Sequence, residues 1–165
     1  MNVQQGTIDA LYSLIGSCFK MNRFLDRQVS VLGVDLVCNH ASGLIHQNIA
    51  HYYPQLSDKI GELCLERYNI NVEYEATPEG KDNYYSVADL IQKMEDKVIE
   101  FQNMFMGACK VSLDNGDIQV YSDLMDLLSG YNKIVEQLIL LNDKIKAYGS
   151  NVMAFDHDID TFWNL

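Results

Sequence analysis

Apolar residues recur at alternating steps of three and four along four separate stretches, which is the pattern of amphipathic helices. Ile8, Leu11, Ile15, Cys18, Leu25, Val29, Leu32 and Leu36 make the first stripe, interrupted by the polar Asn22. It predicts a helix over 7–38, about 48 Å long at 1.5 Å per residue, with Thr7 as N-cap. Asn39–Gly43 reads as a turn with Ser42 capping the next element. Ile45, Ile49, Tyr52, Leu56, Ile60 and Leu63 then carry a second helix over 43–69. Pro54 lies inside it without an N–H to donate, so a kink or a late start is expected. Ser86 and Asp89 form a capping-box-like start to a third helix, 86–112, with Val87, Leu90, Met94, Val98, Phe101, Phe105 and Cys109 on its apolar face. Asp114-Asn115-Gly116-Asp117 stops that helix and opens a fourth, 117–148. It carries Tyr121, Leu124, Leu128, Tyr131, Val135, Leu138 and Ile145, with Gly149 as terminator.

The connections are short, long, short. Residues 70–85 show no helical period and contain Pro78 and Gly80. Sixteen extended residues reach about 53 Å, enough to travel the ~40 Å length of a 27-residue helix. A crossover of that reach lets the second and third helices run parallel, whereas three short loops would give an up-and-down bundle. The expected fold is an all-α four-helix bundle with a long crossover, one domain over 1–165. Its tail, 150–165, holds Phe155, Phe162 and Trp163 and is expected to dock on the bundle or on a second subunit.

Composition narrows the chemistry. At 165 residues and 48% hydrophobic, the chain can bury a real core. No apolar run reaches the ~18–20 residues that span a bilayer, and Met1–Gly6 lacks a basic start, so a cytoplasmic protein without membrane contact is expected. The net charge of −11 attracts cations and repels nucleic acid, which argues against direct DNA binding. Cys18, Cys38, Cys64 and Cys109 are far apart and sit on or beside apolar stripes, as structural thiols do.

Two groups of residues stand out as metal ligands. His40, His46 and His51 fall within twelve residues, and imidazole is a common nitrogen donor to iron or zinc; the alternative is that they are turn and cap histidines, hydrogen-bonded and partly wet. On a regular helix His46 and His51 stand about 140° apart, so a neighbouring element must complete any site. Asp35 lies level with His46 across the first turn. Glu62 and Glu66, at i and i+4, share one helix face and could flank a cation; such pairs also serve as plain solvated faces beside an arginine such as Arg67. No Glu-x-x-His occurs, so a di-iron site inside the bundle is not expected. Asp156-His157-Asp158 with Asp160 lacks the glycine and terminal glutamate of a calcium loop and reads as a solvated tail.

Glu66-Arg67, ten residues before Ala76-Thr77-Pro78 and preceded by Glu62, resembles the end of the second helix and the following loop in ferritin-like proteins of the starved-cell DNA-protection (Dps) family. Helix order, helix lengths and the Asp-Asn-Gly turn are similar as well, over roughly residues 5–148. The resemblance implies a ferritin-like four-helix bundle that assembles as a homo-oligomer. It also implies ferrous iron as substrate, peroxide as an oxidant, and ferroxidase activity serving iron storage. The family's site lies between subunits, with two histidines near the first turn of one and the acidic pair of the other. Glu62 and Glu66 match the acids. Counting back without gaps places Asp35 and Gln47, with His46 beside it, at the histidine positions; a one-turn shift places His40 and His51 there instead. The family's late tryptophan pattern and the basic tail of some members are missing. The alternative implied is a ferritin-fold scaffold without metal, acting through protein contacts.

Overall fold

The computed structural model describes all residues 1–165, and it is all-helical. Helix α1 spans Gln5–Ser30 and closes with a π turn, Val31–Asp35. The second arm is built from α2 (Asn39–Ile45), a π turn (His46–Ala50), α3 (Tyr52–Leu63) and a further π turn (Cys64–Tyr68). Asn69 ends it in the left-handed conformation. Helices α4 (Val87–Asp114) and α5 (Ile118–Tyr148) form the other antiparallel pair, and α6 (Val152–Asp158) with a 3-10 turn (Ile159–Phe162) folds the tail.

The crossover, the segment between Asn69 and Ser86, lies along α1 with both chains running the same way. The Tyr12 hydroxyl donates to the Asn71 carbonyl, Lys20 pairs with Glu75, Arg27 donates to the Asp82 carbonyl and the Asn83 side chain, and Gln28 donates to Tyr84. Residue numbers rise together on the two strands of this contact. The segment therefore returns the chain to the far end of the bundle, and α4 starts parallel to α3. The backbones approach closely at Gly80, where a Cβ would stand 3.0 Å from the Arg23 carbonyl oxygen, while the Glu75 side chain lies over Gly16.

One core of buried side chains runs through the bundle. At its middle, Tyr53, Phe101, Phe105 and Tyr131 pack ring on ring with centroid separations of 5.0–6.2 Å. Both hydroxyls are satisfied inside this cluster. Tyr131 donates to the Val98 carbonyl at 2.8 Å, and Tyr53 and Tyr131 share a 2.8 Å hydrogen bond.

Helical periodicity places Tyr52 and Leu63 on the core face, yet Tyr53 and Cys64 are the buried residues and Tyr52 and Leu63 are only half-buried. The π turn at His46–Ala50 closes i→i+5 bonds and inserts one residue, so the buried positions run Ile45, Ile49, Tyr53, Leu56, Ile60 and Cys64, a slightly longer average step than a regular helix has. Pro54 explains where this insertion falls. It has no N–H for the carbonyl four residues back, that of Ala50. Asn22, the polar break in the first stripe, donates its side-chain amide to that carbonyl at 3.0 Å.

The expected caps are partly redistributed. Ser86 caps α4 by accepting from the Asp89 N–H, as its sequence predicts. Thr7 instead lies buried within α1 and accepts from Asn115. Ser42 lies inside α2 and donates to the Val29 carbonyl. Asp117 turns its carboxylate to the Gln4 N–H. Each residue serves a neighbouring element, because packing offers it a nearer orphan group than its own helix does.

Two outcomes follow for stability. Asn22→Leu leaves the Ala50 carbonyl without its partner and lowers unfolding free energy by about 1–3 kcal/mol in urea titrations. Adding Pro54→Ala returns a donor and recovers part of that loss. Val37 has φ +57°, an outlier for a β-branched residue, so Val37→Gly raises stability by about 0.5–1 kcal/mol once glycine's unfolded-state entropy is deducted.

Candidate functional site

The π turn of the second arm changes what His46 and His51 can do. Five residues apart, they would diverge on an α-helix; with an i→i+5 turn between them their rings stand 4.3 Å apart at 62°. Both are half-buried. The two imidazoles are thus neighbours in edge-on contact, closer than the ~140° separation expected on a regular helix would place them.

Regular α3 then carries the same face onward. From His51 to Glu62 is eleven residues, about three helical turns, so Glu62 lies in line with His51 farther along the arm. Gln55, Asp58, Glu62 and Glu66 are all exposed. Glu62 and Glu66 line a shallow pocket with Lys59, Leu63, Arg67 and Leu127, and neither takes part in an ion pair. Arg67 is engaged elsewhere: it pairs with Asp123 of α5 at 2.7 Å, and Tyr68 donates to the other oxygen of the same carboxylate. The acids are thus left facing outward while their arginine neighbour pins the end of the arm.

Asp35 is exposed at the end of its π turn. His40 faces the tail, its Nε2 3.1 Å from an Asp160 oxygen. Within one chain no three His, Cys, Asp or Glu side chains gather closely enough to hold a metal ion. The chain brings His46 and His51 together, and Glu62 with Glu66, but not these two pairs with each other, nor with Asp35 or His40.

The interior offers no alternative. The positions where all four long helices face one another hold tyrosine and phenylalanine rings, with Cys18 among them. Burial keeps these groups neutral: it pushes both Tyr53 and Tyr131 well above the ordinary phenol range. The Cys64 and Cys109 thiols are pushed up to about 11 by burial, and Cys38 likewise by burial and then by the Asp156 charge. All four cysteines are free and buried. Protonated thiols are poor nucleophiles and poor ligands.

The tail docks on the bundle, as its aromatic residues predict, and its acids take part as well. Phe155, Ile159 and Phe162 are buried against the bundle, Phe155 and Phe162 packing beside Tyr148. The Asp156 carboxylate accepts from the N–H groups of Ala41 (2.7 Å) and His40 (3.3 Å) at the start of α2. This is an N-cap supplied from 115 residues away. Asp158 accepts from Tyr148 and pairs with His157, whose pKa that contact raises. The stretch is a fastener rather than a solvated end. Its apolar Phe155, Phe162 and Trp163 were the legible signal for docking, and that docking is on the bundle; the capping role of Asp156 was not legible.

Three solved structures show the likeness in fold. A humanized archaeal ferritin superposes with a TM-score of 0.89 at 9% identity, over 98% of this chain and 97% of its own. An open-pore ferritin from the hyperthermophilic archaeon Archaeoglobus fulgidus gives 0.89 at 11%, over 98% of each chain. A closed form of the A. fulgidus ferritin, engineered by site-directed mutagenesis, gives 0.87 at 11%, over 95% and 96%. No protein-family model and no curated protein sequence matches the chain. The fold is that of the ferritins, a ferritin-like helical bundle with its long crossover. No helix is long and apolar enough to cross a membrane.

Removing the tail's fastener has a defined effect. Asp156→Ala exposes two orphan N–H groups and lowers stability by about 1 kcal/mol. Hydrogen exchange at the His40 and Ala41 amides accelerates, while the amides of α4 and α5 keep their protection relative to the global transition.

Proposed function

We propose that this ferritin-fold protein assembles as a homo-oligomer and binds ferrous iron at a boundary between two copies, His46 and His51 of one facing Glu62 and Glu66 of the other. The pairing of His46 with His51 by the π turn is the observation that carries this reading. An isologous contact makes residue i meet j while j meets i. The midpoint between His46 and Glu66 and that between His51 and Glu62 both fall at about residue 56 of α3. A single twofold axis there, crossing two antiparallel copies of the arm, matches both histidines to both acids and forms two equal sites. Leu65, 74% exposed beside Glu66, gains an apolar contact in the same step.

Two imidazoles and two carboxylates suit Fe(II), a borderline ion that takes nitrogen and oxygen donors. The carboxylates stabilise the higher charge of Fe(III) more than that of Fe(II), which favours loss of an electron. With peroxide as oxidant, two ferrous ions give one electron each, the O–O bond breaks, and two protons complete two waters. Such ferroxidase chemistry would serve iron storage or peroxide protection, as the Dps-like reading of Glu62, Glu66 and the crossover implies. The ferritin neighbours lend support through fold alone.

The aromatic interior favours a second reading. A bundle whose centre is filled by Tyr53, Phe101, Phe105 and Tyr131 has no carboxylate or imidazole there, as fits a metal-free scaffold acting through protein contacts.

Anaerobic Fe(II) titration with light scattering separates the two. Saturable binding is expected, lost both in His46→Ala/His51→Ala and in Glu62→Ala/Glu66→Ala with oligomer mass unchanged. Co-assembling the two double variants at equal amounts restores about one quarter of the sites, because random twofold pairing leaves one intact site in half the dimers. No restoration rules out the shared site; no saturable binding by the unaltered oligomer leaves the scaffold reading.

A further inference from the structure

A cavity of about 500 Å³ lies away from the candidate metal face, roofed by the crossover and floored by α1 and α4. We propose that it is a binding site for a small amphiphilic carboxylate, with an apolar chain or ring between Met21, Phe24, Phe101 and Met104 and its head group on Arg23.

The floor is apolar and partly pliable. Met21 and Phe101 are buried, Phe24 and Met104 half-buried, and methionine adapts to irregular shapes. Ser17 donates to the Met104 sulfur at 3.2 Å, which fixes one wall. The size falls in the range of small-molecule sites, in which apolar walls meet a few placed polar groups.

The roof is held at both ends. Lys20 pairs with Glu75 on one side, and Arg27 holds Asp82 and Asn83 on the other. Between these fixings Gly80 lies against the Arg23 backbone, where a Cβ would come within 3.0 Å of the Arg23 carbonyl oxygen. The crossover is thus seated closely on α1 beside an opening over α4.

Charge selects the head group. Lys20 and Lys97, the other cations at the rim, are committed to Glu75 and Glu100. Arg23 has no ion pair and no side-chain hydrogen bond with the protein, and its guanidinium offers the two-pronged geometry that a carboxylate matches. Glu79, Asp82 and Glu100 also line the cavity. Glu79 and Glu100 are paired with Lys81 and Lys97, which leaves Asp82 as the unpaired acid beside the one unpaired cation, Arg23; this balance suits a single negative charge better than a nucleotide or polyphosphate.

The test uses decanoate below its micellar range, with decanol as an uncharged control, on the intact oligomer carrying methyl-labelled methionine. Among the seven methionines, the Met21 and Met104 methyl signals shift saturably and the others stay in place. Arg23→Gln weakens decanoate about tenfold, as loss of one charge-assisted pair does, and leaves decanol unchanged. Met104→Trp fills the cavity and removes binding of both. The proposal is overturned if Met21 and Met104 do not saturate, or if all methionines shift together. It is overturned equally if Arg23→Gln spares decanoate or affects both probes alike.

Discussion

Burial of four aromatic rings at the centre of the bundle is the constraint on which the rest depends. Tyr53 comes from α3, Phe101 and Phe105 from α4, and Tyr131 from α5, with Cys18 of α1 alongside. Rings of this size dominate core energetics. The two hydroxyls add no unsatisfied polar group, because each finds its partner within the cluster or on the Val98 carbonyl. The same packing fixes where chemistry can occur. A space filled by neutral rings, with no imidazole or carboxylate among them, cannot hold a cation, so any metal handling moves to an outer face of the bundle.

Tyr53 enters that centre just beyond the π turn, four residues after the buried Ile49, and Pro54 follows it directly. A proline breaks the regular ladder, the π turn before it absorbs an extra residue, and Asn22 of the neighbouring helix takes over the freed Ala50 carbonyl. The His46–His51 pair is a consequence of the same insertion. A local defect in hydrogen bonding, stabilised by one amide from α1, thus sets both the aromatic core and the face on which the histidines and the acids align.

The crossover and the tail are the two segments that fasten the arms. Along α1 the crossover is held by side chains at three heights, Tyr12, Lys20 and Arg27 with Gln28, and Gly80 seats it against the Arg23 backbone. At the opposite corner, Asp156 caps α2 and Asp160 meets His40. These contacts explain why polar residues of the crossover and tail, which carry no helical period, are nonetheless ordered by specific partners. They also leave a roofed cavity beside Arg23, away from the face that carries His46, His51, Glu62 and Glu66.

The sequence by itself determined the four helical stripes, the short–long–short rhythm, the capping serine at Ser86 and the stop at Gly149. It also marked the resemblance of Glu62, Glu66 and the following loop to ferritin-like proteins. These are local or periodic signals, written in spacing. Tertiary structure alone decided that Tyr53 rather than Tyr52 is buried, that His46 and His51 meet, and that Asp156 caps a helix 115 residues away. A one-residue π insertion leaves no mark in a three-and-four pattern, because its stability comes from an amide on another helix. A long-range cap is equally silent, since an acidic tail looks solvated until folding brings an uncapped helix end against it.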